Sequence, residues 1–161
     1  MSTEKIIYKS SIYWFYLKMK MKKAIFIILI GGLISLSLQA QTPLHLYGGK
    51  DHDVYLGCIN CDKYNSNSIW NAYGTYGSKY NSNSIWNAYG TYGSKYNSLS
   101  PWNAYSNDSP VVVDKEGNFY GYFTVNTSKS KRADFKLALV IYEYHDLISD
   151  DVSKWYDKIF Q

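Results

Sequence analysis

The sequence predicts an α+β fold made of short N-terminal strands, three stacked 16-residue repeats of helical turn and loop, a β-hairpin, and one or two C-terminal helices. Three observations support this fold class. A 16-residue unit recurs three times without insertion in the middle of the chain. Runs of β-branched and aromatic residues flank Gly-containing turns on both sides of that array. Near the C-terminus, apolar residues recur at helical spacing.

The first predicted elements are two short strands within residues 44–60. Leu44 and Leu46 alternate with other residues before the Gly48-Gly49 pair, and Val54 and Leu56 alternate after it. Alternation on both sides of a Gly-rich turn is typical of paired strands.

The repeat units occupy residues 61–76, 77–92 and 93–108, and the first two differ at only two positions. Identical units make identical contacts with their neighbours, so the array is expected to stack as one element. Within a unit, Ser68 is placed to cap a very short helix and Gly74 to end it in the left-handed conformation. In the third unit Pro101 follows Ser100, and proline is favourable at the first helical position.

The array is rich in Trp and Tyr and contains no histidine, which argues against catalysis and favours packing or binding. The tryptophans are assigned to the core because large aromatic side chains dominate burial where space is limited: Trp70, Trp86 and Trp102. A second set is predicted to stay exposed as a ligand-binding surface: Tyr64, Tyr76, Tyr80, Tyr92 and Tyr96. Aromatic rows beside Asn and Ser suit cell-envelope polysaccharide or another exported protein. Nucleic acid is not expected, since only one lysine per unit recurs.

The last two segments are a hairpin and a helical region. Residues 110–125 carry two β-branched or aromatic runs around a turn in which Gly117 or Asn118 can adopt positive φ. Residues 131–160 predict two helices, with Ser149 as the N-cap of the second. An alternative for residues 135–141 is a strand, because that run is mostly apolar.

The N-terminal 40 residues are predicted to be a leader that is absent from the mature domain, residues 41–161. A basic stretch at 21–23 precedes an apolar run at 24–38 and a boundary at Leu38-Gln39-Ala40-Gln41, the pattern of a secretory signal. Residues 1–18 then lie ahead of the true start. The alternative is a membrane anchor formed by residues 24–38, although that run is shorter than the roughly 20 residues of a spanning helix.

The net charge of +4 comes largely from the leader. Residues 41–161 hold 11 Lys plus Arg and 12 Asp plus Glu, so the mature domain is close to neutral. The basic balance of the whole chain therefore gives no reason to expect a nucleic-acid partner.

Cys58 and Cys61 form a Cys-x-x-Cys pair, for which an exported chain predicts a disulfide. Two alternatives stay open: a redox pair, or a metal site made by His45, His52, Cys58 and Cys61. The spacing of these four residues matches no standard zinc site. No cofactor is predicted, and no familiar hydrolase, metalloprotease or phosphate-loop pattern occurs.

The motifs resemble those of a family of small exported bacterial proteins of uncharacterised function. The resemblance spans about residues 45–125 and is carried by Leu-Gly-Cys-x-Asn-Cys, the Ser-Ile-Trp-Asn-x-Tyr-Gly units, the closing Ser-Pro-Trp-Asn and the hairpin. It implies a bacterial, exported origin and no activity. Two classes of function follow from the residues: a non-catalytic binding or structural module, and a small redox or metal-binding protein centred on Cys58 and Cys61.

Overall fold

The computed structural model of this protein describes residues 41–161, which have an α+β fold. The predicted leader, signal sequence and alternative anchor fall on residues 1–40 and lie outside the described residues. Within residues 41–161, no helix has the length and apolar character needed to cross a membrane.

A four-stranded antiparallel sheet is built from the two predicted strand pairs. Its strands are β1 (His45–Gly48), β2 (Val54–Cys58), β3 (Val111–Val113) and β4 (Phe119–Tyr122), in the order β2-β1-β3-β4. The N-terminal strands and the hairpin were both predicted, and both are confirmed. Gly117 adopts the positive φ expected of the hairpin turn, at 84°.

The sheet has one core-facing side, as the period of two along each strand requires. Leu46, Leu56 and Val112 are fully buried, and Leu46 pairs in register with Val112. The side chains of His45, Tyr47 and Tyr55 line a cavity on the other side. The pairing of β1 with β2 shifts between Leu46 and Tyr47.

The segment between the two strand pairs consists of turns, so the short helix predicted in each unit is wrong. The backbone N–H of Asn71 donates to the Ser68 carbonyl at 3.3 Å, and that of Gly74 donates to the Asn71 carbonyl at 2.8 Å. The Asn71 side chain accepts from the N–H of Tyr73 at 3.2 Å. An asparagine that bonds its own neighbouring backbone offers the chain an alternative to a helix, which explains the difference. Gly74 does not adopt positive φ.

The tryptophans of the array are buried, which confirms their assignment to the core. Trp70, Trp86 and Trp102 are 0%, 2% and 6% exposed. Their indole N–H groups donate to the backbone carbonyls of Ile59, Ile69 and Ile85 at 2.5–2.6 Å. These bonds satisfy the polar end of each buried indole, as burial demands.

Two helices close the domain, α1 (Lys136–Asp150) and α2 (Val152–Phe160). The strand alternative for residues 135–141 is therefore wrong. The predicted cap is also corrected: Ser149 lies inside α1, and Asp151 accepts from the N–H of Lys154 at 3.1 Å.

The helices cover the tryptophans. The Trp70 ring lies 5.6 Å from Phe160 of α2, and the Trp102 ring stacks on His145 of α1 at 4.8 Å. This stacking leaves only a quarter of the His145 side chain exposed.

Candidate functional site

Six tyrosines of the array are almost fully exposed, and they fall into two sets with 16-residue spacing. One set is Tyr64, Tyr80 and Tyr96, which are 82–85% exposed and were predicted as ligand-binding residues. The other is Tyr73, Tyr89 and Tyr105, which are 88–100% exposed and were not among the predicted site residues. A folded domain gains nothing in packing from such exposed rings, so their concentration on one segment points to a contact surface.

Local turn chemistry positions the exposed rings. The hydroxyl of Ser78 accepts from the N–H of Tyr80 at 3.3 Å. The side-chain amide oxygen of Asn87 accepts from the N–H of Tyr89 at 3.1 Å. In such turns the Ser or Asn side chain accepts from the backbone N–H two residues later in the chain. The tyrosine ring then lies on the outer side of the turn.

Two of the predicted ligand-binding tyrosines are less exposed than the other three: Tyr92 is buried and Tyr76 is half-buried. Tyr92 is only 9% exposed and packs against Gly48 of β1, where a β-carbon would lie 3.0 Å from its ring. Burial, followed by the nearby Asp53 carboxylate, raises the pKa of Tyr92. Tyr76 is half-buried, with its ring edge-on to Tyr55 at 4.9 Å. The strands β1 and β2 cover this side of the array, which leaves Tyr92 buried and Tyr76 half-buried.

Four of the six exposed tyrosines line a groove between the array and the C-terminal end of α1, which we call the tyrosine groove. Three adjoining depressions of about 340, 470 and 260 Å³ form it. The first two share Tyr80 and Asp150, and the last two share Trp86 and Tyr89. The rings that line the groove come from all three units of the array: Tyr73, Tyr80, Tyr89 and Tyr96.

Charges of both signs border the tyrosine groove. The ammonium groups of Lys79 and Lys95 lie 5.5 and 5.8 Å from the ring centroids of Tyr80 and Tyr96, within cation–π range. The α1 side contributes carboxylates: Asp146, Asp150 and Asp151. Aromatic faces beside hydrogen-bonding groups of both signs suit a neutral ligand that carries hydroxyl groups.

Cys58 and Cys61 form a disulfide, as predicted. The bonded sulfurs are not thiolates, and thiolate is the form that binds metal. His45 and His52 make other contacts: His45 Nδ1 lies 2.9 Å from the Tyr55 hydroxyl, and His52 Nε2 lies 3.2 Å from the Ser109 carbonyl. Among residues 41–161, no three His, Cys, Asp or Glu side chains are grouped closely enough to hold a metal ion.

A second cavity, of about 650 Å³, lies on the outer side of the sheet. His45, Tyr47, Tyr55 and Asp114 contribute to its lining. Burial lowers the pKa of His45, and burial together with Tyr47 and Tyr76 raises the pKa of Tyr55 to about 12. The imidazole and the phenol are thus both held neutral near pH 7, as a hydrogen-bonded pair.

No protein-family model matches this chain, and neither a curated protein nor a solved structure matches it significantly. The resemblance drawn from the motifs therefore stays an expectation.

Proposed function

We propose that this protein is a non-catalytic, exported binding module whose tyrosine groove contacts a cell-envelope glycan. The observation that carries the proposal is the row of four exposed tyrosines in one groove, flanked by lysines and by the carboxylates of α1. The C–H groups on a sugar ring pack against the face of an aromatic ring, while sugar hydroxyls bond to charged and amide side chains. Tyrosine supplies large contact area with little loss of side-chain entropy.

The charge of the groove favours a neutral glycan over a polyanion. Nucleic-acid binding depends on neutralising phosphates with Lys and Arg. Here Lys79 and Lys95 face Asp146 and Asp150, so a phosphate backbone would meet carboxylates as well as ammonium groups. Nucleic acid is therefore not proposed as a partner, and no cofactor is required.

The redox alternative has less support than the binding module. Cys58 is fully buried and Cys61 is only partly exposed, so at most one sulfur of the pair is accessible to a partner for disulfide exchange. The disulfide fits an oxidising compartment and thus an exported location, because disulfides are rare in the cytosol. In this proposal the three units stack as a repeat array whose role is to hold the tyrosines at regular intervals.

Binding to insoluble glycans tests the proposal. Residues 41–161 are mixed with particles of purified peptidoglycan, chitin and cellulose, and the bound fraction is measured by depletion from solution. We expect at least one glycan to retain the protein. Tyr80→Ala and Tyr89→Ala should each weaken that binding about five- to 150-fold, as expected where one stacking ring contributes roughly 1–3 kcal/mol.

Phe119→Ala is the matched control, since it removes a partly exposed ring from β4 of the sheet. It should bind as the unchanged protein does. Thermal unfolding of each variant checks that the fold is intact. Failure of all three glycans to retain the protein, or full retention of both tyrosine variants, would contradict the proposed function.

A further inference from the structure

Aromatic rings line the cavity of about 650 Å³ on the outer side of the sheet, which we call the sheet cavity. His45, Tyr47 and Tyr55 belong to its lining, and all three are half-buried. The Tyr55 ring lies 5.2 Å from the Tyr47 ring and 5.7 Å from the imidazole of His45, with the planes tilted by 58° and 50°. Rings tilted in this way do not cover one another's faces, so aromatic surface is left for a ligand of small-molecule size.

The polar atoms of this aromatic lining are already paired. His45 Nδ1 and the Tyr55 hydroxyl lie 2.9 Å apart as a hydrogen-bonded pair. Burial lowers the pKa of His45, an effect that the Asp114 carboxylate partly offsets, and burial raises the pKa of Tyr55 to about 12. The pair is therefore neutral near pH 7, and the tyrosine rings offer a ligand their electron-rich faces, which attract cations.

Asp114 gives the sheet cavity a negative charge without a counter-ion. Asp114 is only 5% exposed, and its carboxylate accepts four hydrogen bonds from neutral groups, which belong to Glu116, Asn118 and Tyr120. Among residues 41–161, no cationic side chain forms an ion pair with it. Lys115 also lines the cavity, but its ammonium lies 3.4 Å from the Glu116 carboxylate. The uncompensated carboxylate favours a cationic ligand.

We infer that the sheet cavity binds a small quaternary ammonium compound, with its methyl groups packed on the tyrosine rings. The four hydrogen bonds to Asp114 occupy the roughly four lone-pair sites of a carboxylate, so little capacity remains to accept from a ligand. A primary ammonium brings three N–H donors that need acceptors, whereas a quaternary ammonium brings none. The site is separate from the tyrosine groove, with which it shares no lining residue.

The test is titration of the purified protein with choline, followed by NMR of the backbone amides. We expect saturable shifts of β1 and β3 amides beside the sheet cavity. Two analogues are matched ligand controls: 3,3-dimethylbutan-1-ol, in which carbon replaces the quaternary nitrogen, and ethanolamine, in which a primary ammonium replaces it. Each should bind at least about tenfold more weakly than choline, because one lacks the charge and the other lacks acceptors for its N–H groups.

Two substitutions at Tyr47 test the role of the ring face. Tyr47→Leu keeps an apolar side chain but removes the ring, and it should weaken choline binding about three- to thirtyfold. Tyr47→Phe keeps the ring and should bind choline as the unchanged protein does. Tyr80→Ala, in the tyrosine groove, should also leave choline binding unchanged. Thermal unfolding of each variant checks that the fold is intact.

The inference would be overturned by equal affinity for choline and either analogue, because the site would then not select a quaternary cation. Shifts confined to the tyrosine groove, unchanged binding by folded Tyr47→Leu, or no saturable binding of choline would equally overturn it. None of these outcomes bears on the proposed glycan binding, which depends on other residues.

Discussion

At the scale of single residues, Asp114 has the densest set of hydrogen bonds in the hairpin. Its carboxylate accepts from the backbone N–H groups of Glu116 and Asn118 at 3.0 and 2.9 Å. It also accepts from the Asn118 amide at 2.8 Å and from the Tyr120 hydroxyl at 3.1 Å. Bonds from Asn118, Tyr120 and Glu116 hold the pKa of Asp114 below its ordinary value, because they stabilise the ionised form.

This lowered pKa predicts an acid-sensitive hairpin. A carboxyl group whose pKa is lower in the folded state stabilises the protein at pH values above the pKa that the group has in the unfolded chain, about 3.9. That stabilisation is lost as the pH falls through the pKa of the folded state. Asp114→Asn should therefore lower the urea midpoint at pH 7 and flatten its decline with acid. Asp150→Asn, at an exposed carboxylate, is the control. An unchanged slope in Asp114→Asn would contradict the prediction.

Residue type and the 16-residue period do not by themselves determine whether a tyrosine side chain is exposed. Tyr89 and Tyr92 lie in the same unit, three residues apart, yet Tyr89 is 100% exposed and Tyr92 is 9% exposed. Only Tyr92 faces the strand that carries Gly48. The predicted site accordingly included Tyr92 and omitted Tyr89.

At the scale of the element, each of the two junctions between units of the array depends on one glycine for a close backbone approach. A β-carbon on Gly77 or Gly93 would overlap the backbone carbonyl of Asn71 or Asn87. Gly90 is different, because the nearest atoms to its β-carbon belong to the side chain of Asn87 and not to backbone, at 3.1 Å. Gly93 and Gly90 therefore allow a close backbone contact to be compared with a side-chain contact at the same boundary between units.

Gly93→Ala should lower the free energy of unfolding by about 1–3 kcal/mol, the range for overpacking against atoms that cannot yield. Gly90→Ala should change it by less than about 1 kcal/mol, since alanine restricts the unfolded chain and meets only a side chain. Urea unfolding followed by tryptophan fluorescence measures both. Equal losses in the two variants would show that the close approach at Gly93 is not the cause.

At the scale of the whole molecule, the sheet, the array and the helices share one core. Trp102 contacts Phe123 at the end of the hairpin and His145 of α1, while Trp70 contacts Tyr156 and Phe160 of α2. The array therefore holds no core of its own, and we treat residues 41–161 as a single folding unit.

Expression of the full chain in a bacterium tests the predicted processing. We expect the secreted or periplasmic protein to begin between Gln39 and Thr42, and to gain the mass of two hydrogens on reduction of the Cys58–Cys61 bond. N-terminal sequencing and intact mass before and after reduction measure these. A mature protein that keeps residues 24–38 would favour the anchor, and free thiols in the exported protein would contradict the disulfide.

The sequence by itself determined the features that depend on local chemistry. These are the two strand pairs with their Gly-containing turns, the helices near the C-terminus, the Cys58–Cys61 bond and the burial of the tryptophans. Each follows from residues close together in the chain, or from the size of the largest apolar side chains in the array.

The tertiary structure decided which tyrosines are accessible and what faces them. β1 and β2 cover one side of the array, and the end of α1 borders the other, where Asp150 lies beside Tyr80 although 70 residues separate them. No local pattern encodes such a juxtaposition, because it results from how separate elements bury their apolar faces against one another. The predicted tyrosines Tyr64, Tyr80 and Tyr96 are exposed, whereas the groove itself could be recognised only once α1 was in place.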